Sequence, residues 1–259
     1  IHEVGHNWFP MIVASDERMW TWMDEGLNSF LEHYGSLDFD KDWPKGRLPG
    51  IAKNIVGYMK MPNSVPIMAH SDLNLRNTFS PNGYAKPASG LVMLREKIAG
   101  TEAFDQAFRG YSQRWMFKHP QPADFFRSME DGLGEQLNWF WRGWFYTAYA
   151  NDQALTGVER QDAKDVLGDD SKGKNYFRIT VEQKGGIVMP VEMDITYTDG
   201  TTERVKLPAD IWRQNEKVFT YGKATSKDIA QIVLDPDEAF ADINRSNNTW
   251  KKPVAAPLP

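Results

Sequence analysis

Along this 259-residue chain the spacing of apolar residues changes once, near residue 150, from a helical period to a strand period. Before that point apolar side chains recur every three or four positions. One set is Leu27, Phe30, Leu31 and Tyr34; another is Phe104, Ala107, Phe108, Tyr111 and Trp115; a third is Phe125, Met129 and Leu133; a fourth is Leu137, Phe140, Trp141, Trp144 and Phe145. Each set lines one stripe of a helix, the face that packs on a core. Local signals bound these helices. Thr101 predicts an N-cap, Pro122 with Asp124 predicts a helix start, and Gly100 and Gly134 predict stops. The prolines of Trp43-Pro44, Leu48-Pro49-Gly50, Met61-Pro62 and Val65-Pro66 predict a loop-rich stretch, a candidate cleft wall, since proline breaks long helices.

Residues 151–174 are polar and charged, with Gly157, Gly168, Asp169, Asp170 and Gly173, and are predicted to form a linker. Beyond them the pattern alternates: Phe177, Ile179 and Val181, then Val191, Met193, Ile195 and Tyr197, with Gly185-Gly186 between and Asp199-Gly200 after. These are predicted strands, and Asp-Gly predicts a tight hairpin in which both residues tolerate positive φ. Further strands are expected at 204–207, 218–221 and 229–234. The expected fold class is multidomain α+β: a helical domain over 1–150, the linker, a small antiparallel β-sandwich over 175–243, and an extended tail over 244–259.

Chemistry enters at the start of the chain. His2-Glu3-Val4-Gly5-His6 is followed, after eighteen intervening residues, by Glu25. On a helix, positions i and i+4 share a face, so both imidazoles can meet one metal ion. Glu25 opens a second apparent helix and can fill a third ligand position. Zinc held by two histidines and a carboxylate keeps a coordination position for water, and Glu3 stands where it can take that water's proton. Asp24 is a candidate acceptor for the outer N–H of a ligand imidazole, or else a helix cap. His33, His70 and His119 lack partner spacing and are read as ordinary surface or core histidines.

These residues, with His6-Asn7-Trp8-Phe9-Pro10 and Trp22-Met23-Asp24-Glu25-Gly26 around them, resemble the M1 family of zinc metallopeptidases, the gluzincin aminopeptidases. The resemblance implies a mostly helical, thermolysin-like catalytic subdomain, Zn2+ as cofactor, peptides as substrate, His2, His6 and Glu25 as ligands, and Glu3 as general base. It also implies an oxyanion-stabilising tyrosine. Tyr84, in Asn82-Gly83-Tyr84-Ala85-Lys86-Pro87, matches the family's Tyr-x-Lys-Gly segment, with Pro87 in place of the usual glycine. Trp139-Phe140-Trp141-Arg142-Gly143-Trp144 resembles the helical tail of the same domain, and the last β segment looks like the β domain that follows it in many members.

One family element is not found: the Gly-x-Met-Glu-Asn motif whose glutamate binds the substrate's free amine. Met129-Glu130 lacks the flanking residues and is given no role. The chain starts one residue before the first ligand, so it is expected to be a fragment with His2 in an uncapped, fraying turn, weaker in zinc binding and poor at cleavage. Aminopeptidase activity is expected of the intact protein. An endopeptidase without an amine anchor and a non-catalytic M1-like scaffold are the alternatives.

Composition narrows the rest. A net charge of -5 offers no basic footprint for nucleic acid. No apolar run approaches the roughly 20 residues of a membrane span. The absence of cysteine rules out disulfides and thiolate metal sites, and leaves cytoplasmic and periplasmic or secreted locations open. Ten tryptophans, concentrated before residue 150, argue for a packed helical core.

Overall fold

The computed structural model describes residues 1–40 and 47–253, and the side chains of 47–51 are outside that description, as are Trp43-Pro44 and the last residues of the tail. Two compact units divide the chain: Ile1–Ala150 with Ala239–Ala241, and Asn151–Glu238 with Asp242–Pro259.

The first unit is helical. α1 (His2–Gly5) is a single turn, and α2 (Leu27–Phe39) follows a wide helical turn at Trp22–Gly26. α3 (Arg47–Met59) runs through Leu48-Pro49-Gly50, where the prolines predict a loop. Pro49 falls in the first turn, where backbone N–H groups have no helical acceptor, so its missing N–H breaks no bond. α4 (Arg76–Ser80) leads through a second wide turn, Pro81–Ala85, into α5 (Lys86–Met93). α6 (Thr101–Trp115), α7 (Pro122–Leu133) and α8 (Asn138–Trp144) complete the unit. Thr101 is the first helical residue and not the cap; Gly100, at φ 86°, occupies that position. Its positive φ suits glycine, which turns the chain sharply enough for α6 to start one residue later. α7 starts as expected, with Asp124 accepting the Gln121 N–H at 2.8 Å.

The predicted stripes meet in an aromatic core. Trp22 stacks on Phe126 at 5.7 Å and meets Phe145 edge-on at 5.0 Å, while Phe126 stacks on Trp141 at 4.7 Å. Phe30 of α2 packs on Phe104 and Phe108 of α6. Each such pair contributes about 0.5–1.5 kcal/mol beyond its buried area. The core thereby grips both elements that flank Glu25.

The second unit holds two antiparallel sheets, ordered β1-β2-β5 and β4-β3-β6-β7. The strands are β1 (Gln153–Asp162), β2 (Asn175–Gln183), β3 (Val191–Tyr197), β4 (Thr202–Leu207), β5 (Val218–Thr225), β6 (Ile229–Leu234) and β7 (Thr249–Lys251), with a short helix α9 (Ala163–Leu167) after β1. Phe177, Ile179 and Val181 of β2 share one buried cluster with Val191, Met193 and Ile195 of β3 and Ile232 of β6, so inner faces of both sheets feed a single core. The segment expected to be a linker is in fact β1 and α9, and part of the expected tail is β7. Both strands are sheet edges; the last four residues of β1 are exposed on both faces, and β7 is three residues long, so their polar residues resemble linker composition. In the β3–β4 hairpin only Gly200 takes positive φ, at 83°; Asp199 instead accepts from the Thr201 N–H at 2.9 Å. Among the described residues no helix is long and apolar enough to cross a membrane.

Candidate metal centre

One helical turn sets the two imidazoles side by side. The His6 N–H reaches the His2 carbonyl at 3.3 Å, and the two rings stand edge-on with centroids 4.8 Å apart. α2 comes unusually close at Gly5, where a Cβ would lie 1.9 Å from Asn28 Oδ1. Glycine there makes room for the buried Asn28, whose amide donates to the His2 carbonyl at 2.8 Å. The turn has no side-chain cap, as expected from its position, but His2 is held from α2 by Asn28 and by Glu32.

Glu25 sits in the wide turn just before α2. Its Oε2 lies 3.1 Å from His2 Nε2 and 3.3 Å from His6 Nε2. Among the described residues, His2, His6 and Glu25 are the one group of three or more such side chains whose ligand atoms gather closely enough for a metal, all within 4.8 Å. The outer nitrogens explain the ring orientations. His2 Nδ1 faces Glu32 Oε2 at 3.0 Å, and His6 Nδ1 faces the Phe9 carbonyl at 2.9 Å. Carboxylates and carbonyls only accept, so each Nδ1 carries a proton, and Nε2 of each ring is the nitrogen left to offer a lone pair to a metal on the Glu25 side. Two ring nitrogens and a carboxylate oxygen gathered in this way are bridged by a metal ion or by protons on the rings, and a metal uses all three as donors at once. The donor set, two imidazole nitrogens and a carboxylate with the outer nitrogens fixed, therefore fits zinc.

Asp24 Oδ1 also lies 2.9 Å from His6 Nδ1, but the ring N–H is aligned with the Phe9 carbonyl, so Asp24 acts through charge. Burial, reinforced by the negative Glu25, pushes the Asp24 carboxyl up to about 7. For His6, burial alone favours the neutral ring; the Phe9 carbonyl and the charges of Asp24 and Glu25 outweigh it and raise the pKa.

Tyr84 comes from the other side of the site. Its hydroxyl donates to Glu25 Oε1 at 2.5 Å, and its ring stacks on His2 with centroids 6.0 Å apart. Burial and the hydrogen bond to Glu25 raise its pKa, so the phenol keeps its proton. Pro87, the departure from the family segment, lies in the first turn of α5 against Gly26, where a Cβ would stand 2.5 Å from Pro87 Cγ. The turn that carries Glu25 and the turn that carries Tyr84 are thus pressed together. Glu3 is exposed, and near enough for its charge to act on both His6 and Tyr84.

Glu32 and the Phe9 carbonyl are additions to the residues named from sequence. Glu32 lies seven positions after Glu25, two turns along the same face, and that spacing was a usable signal. A backbone carbonyl leaves none. Glu130 serves the interior of the helical unit, where its Oε1 accepts from the Leu137 N–H and from Trp141 Nε1. His119 faces the Ala14 carbonyl and His70 accepts from the Asp72 N–H, both away from the centre.

Known proteins resemble this chain in sequence and fold. Residues 1–144 match the sequence profile described as Peptidase family M1 domain. Glutamyl aminopeptidase of Rattus norvegicus is 27% identical over 256 residues, covering 96% of this chain and 26% of its own length. Aminopeptidase N of Streptomyces lividans is 29% identical over 161 residues, covering 58% of this chain and 18% of its own length. The chain thus spans about a quarter or less of these two relatives. The crystal structure of Legionella pneumophila aminopeptidase A in complex with aspartic acid superposes with a TM-score of 0.59 at 15% identity, covering 93% of this chain and 26% of that one, a likeness of fold. With a profile match over more than half of its residues, the chain belongs to peptidase family M1.

Proposed function

We propose that this chain supplies the zinc ligands and the proton-transfer residues of a metallopeptidase that hydrolyses peptide bonds, acting as an aminopeptidase in the intact protein. One observation carries this reading: two histidine Nε2 atoms converge on Glu25 while both Nδ1 atoms are engaged outward. In the same reading residues 1–150 are a thermolysin-like catalytic subdomain and the two sheets of the second unit form a β-sandwich following it.

His2, His6 and Glu25 would hold the zinc. When bound, zinc supplies Lewis-acid polarisation of the scissile carbonyl and makes water acidic enough to lose a proton near neutrality. Glu3, exposed beside the first ligand, accepts that proton and returns it to the leaving amine. The Tyr84 hydroxyl, kept protonated by its surroundings, donates to the carbonyl oxygen as negative charge develops there. A donor placed in this way is worth about 3 kcal/mol in the transition state.

The test has two steps. Elemental analysis of chain purified without chelator should find near-stoichiometric zinc, lost in Glu25→Ala. Hydrolysis of peptides with free and with blocked N-termini should then fall at least about 100-fold in Glu3→Gln while zinc content stays. Zinc unaffected by the Glu25 change, or hydrolysis unaffected by Glu3→Gln, overturns the proposal; cleavage of blocked peptides converts it to an endopeptidase.

A further inference from the structure

Lys86 is one of the few charged side chains enclosed in this protein, with 1% of its surface exposed. It sits two residues after Tyr84, at the first position of α5. Its ammonium donates to the Thr147 carbonyl at 3.2 Å, just past the end of α8, and lies 5.9 Å from the centre of the Trp144 ring. The backbone of the same residue is gripped as well: the Lys86 carbonyl accepts from Trp144 Nε1 at 2.8 Å. One turn further on, Gly90 lies so close to that indole that a Cβ would stand 2.3 Å from Nε1. The α8 end therefore holds α5 by an ammonium, a carbonyl and a glycine contact.

A cation is an expensive way to fill this space. Burial pushes the Lys86 amine down to about 8, and an apolar side chain of similar shape often replaces a buried charge without loss of stability. What an apolar replacement cannot do is fix direction, since a hydrogen bond specifies where its donor points and packing alone does not. The group whose direction matters is two residues away. Tyr84 Oη meets a carboxylate oxygen at 2.5 Å, and on its N-terminal side its turn is held by Asn82, which donates to the Pro66 carbonyl at 3.1 Å and to Asn74 Oδ1 at 3.0 Å, with close contacts of Pro87 on Gly26 and Gly83 on Thr21.

We propose that Lys86 is a positioning residue for Tyr84: its ammonium, hydrogen-bonded to the Thr147 carbonyl, locks the start of α5 so that the Tyr84 hydroxyl is aimed at the Glu25 edge of the centre. This inference rests on the catalytic reading of Tyr84 given above, and it is tested by a readout that does not need catalysis. The 259-residue chain is labelled with 13C at tyrosine Cζ, and the Tyr84 signal is assigned by Tyr84→Phe. In Lys86→Met the Tyr84 signal should shift toward that of free tyrosine and broaden, the other tyrosine signals should hold, and the unfolding midpoint should not fall. Peptide hydrolysis should lose about 100-fold in kcat with KM little changed, the signature of a catalytic group moved by an ångström.

Because the chain has no cysteine, a rescue is available. Lys86→Cys, alkylated in denaturant with 2-bromoethylamine and refolded beside wild type taken through the same cycle, rebuilds a lysine-like amine at one position. It should restore both the Tyr84 signal and kcat. An unchanged Tyr84 signal in Lys86→Met, or in Lys86→Gln should the Met variant not fold, overturns the proposal, as does failure of the refolded amine to restore a signal that refolded wild type recovers. If Tyr84→Phe leaves hydrolysis intact while the Lys86 variants still displace the Tyr84 signal, the catalytic reading fails and the positioning inference stands.

Discussion

Removing Glu32 should weaken zinc binding without unfolding the chain. Glu32 Oε2 accepts the His2 Nδ1–H at 3.0 Å, and that bond both orients the ring and makes Nε2 a better donor to a metal. Changes at such outer partners usually cost 10- to 100-fold in metal affinity. The Glu32 side chain is 45% exposed, so water screens its charge and places this site at the low end of that range. Glu32→Ala is therefore expected to weaken zinc about 10-fold, or about 1.4 kcal/mol. Glu32→Gln keeps an acceptor and should lose about threefold, in line with a neutral hydrogen bond having roughly half the strength of a charge-assisted one. Competition against a chromophoric chelator reads both numbers. The difference between Gln and wild type should shrink in high salt, where exposed charge is screened, while Ala remains weak. Zinc affinity of Glu32→Ala within about twofold of wild type would refute this account, because the ring would then need no outer partner.

Other outcomes follow from single contacts. Gly5→Ala drives a methyl onto Asn28 Oδ1, and a cost of about 1–3 kcal/mol is expected, read as a lower thermal midpoint together with weaker zinc retention; an unchanged midpoint would mean Asn28 moves freely. Lys86 predicts a pH dependence. Its pKa is depressed to about 8 in the folded chain against an ordinary 10.5, so between those values the unfolded chain binds more protons and stability rises with pH. The rise is at most about 1.4 kcal/mol per pH unit, and denaturant titrations from about pH 8 to about pH 10 should find it in wild type and not in Lys86→Met. In the second unit, Ile195→Ala empties a fully buried position of β3 and should cost about 2–5 kcal/mol in urea unfolding.

Different levels of the structure were legible to different degrees. The helical stripes, with Phe104, Phe108, Phe125 and Phe140 inside, were plain because one periodicity runs through each helix. The spacing of His2, His6 and Glu25 named the atoms that the fold gathers, since one turn of helix and a short connection leave few other arrangements. What surrounds them was less visible. Asp24 has the spacing of an outer partner of an imidazole, yet the aligned acceptor is a carbonyl, which carries no residue identity. β1 escaped because its last four residues are exposed on both faces, and Ala154, Leu155 and Val158 are too few to make an alternation. Pro49 misled because a proline reads as a break unless the helix start is already located.

The meeting of Gly26 with Pro87 bears on how this centre can change over generations. Residue 26 has room for no side chain while a proline ring occupies the space opposite, and Gly83 O at 3.0 Å closes the other route. The two positions form one steric unit split between distant parts of the sequence. Glycine at 87 would open one side of position 26, while the Gly83 carbonyl would still press on the other. Mutational tolerance at a residue adjoining Glu25 thus depends in part on a residue sixty-one positions downstream, and a library that randomises position 26 alone will sample mostly distorted centres.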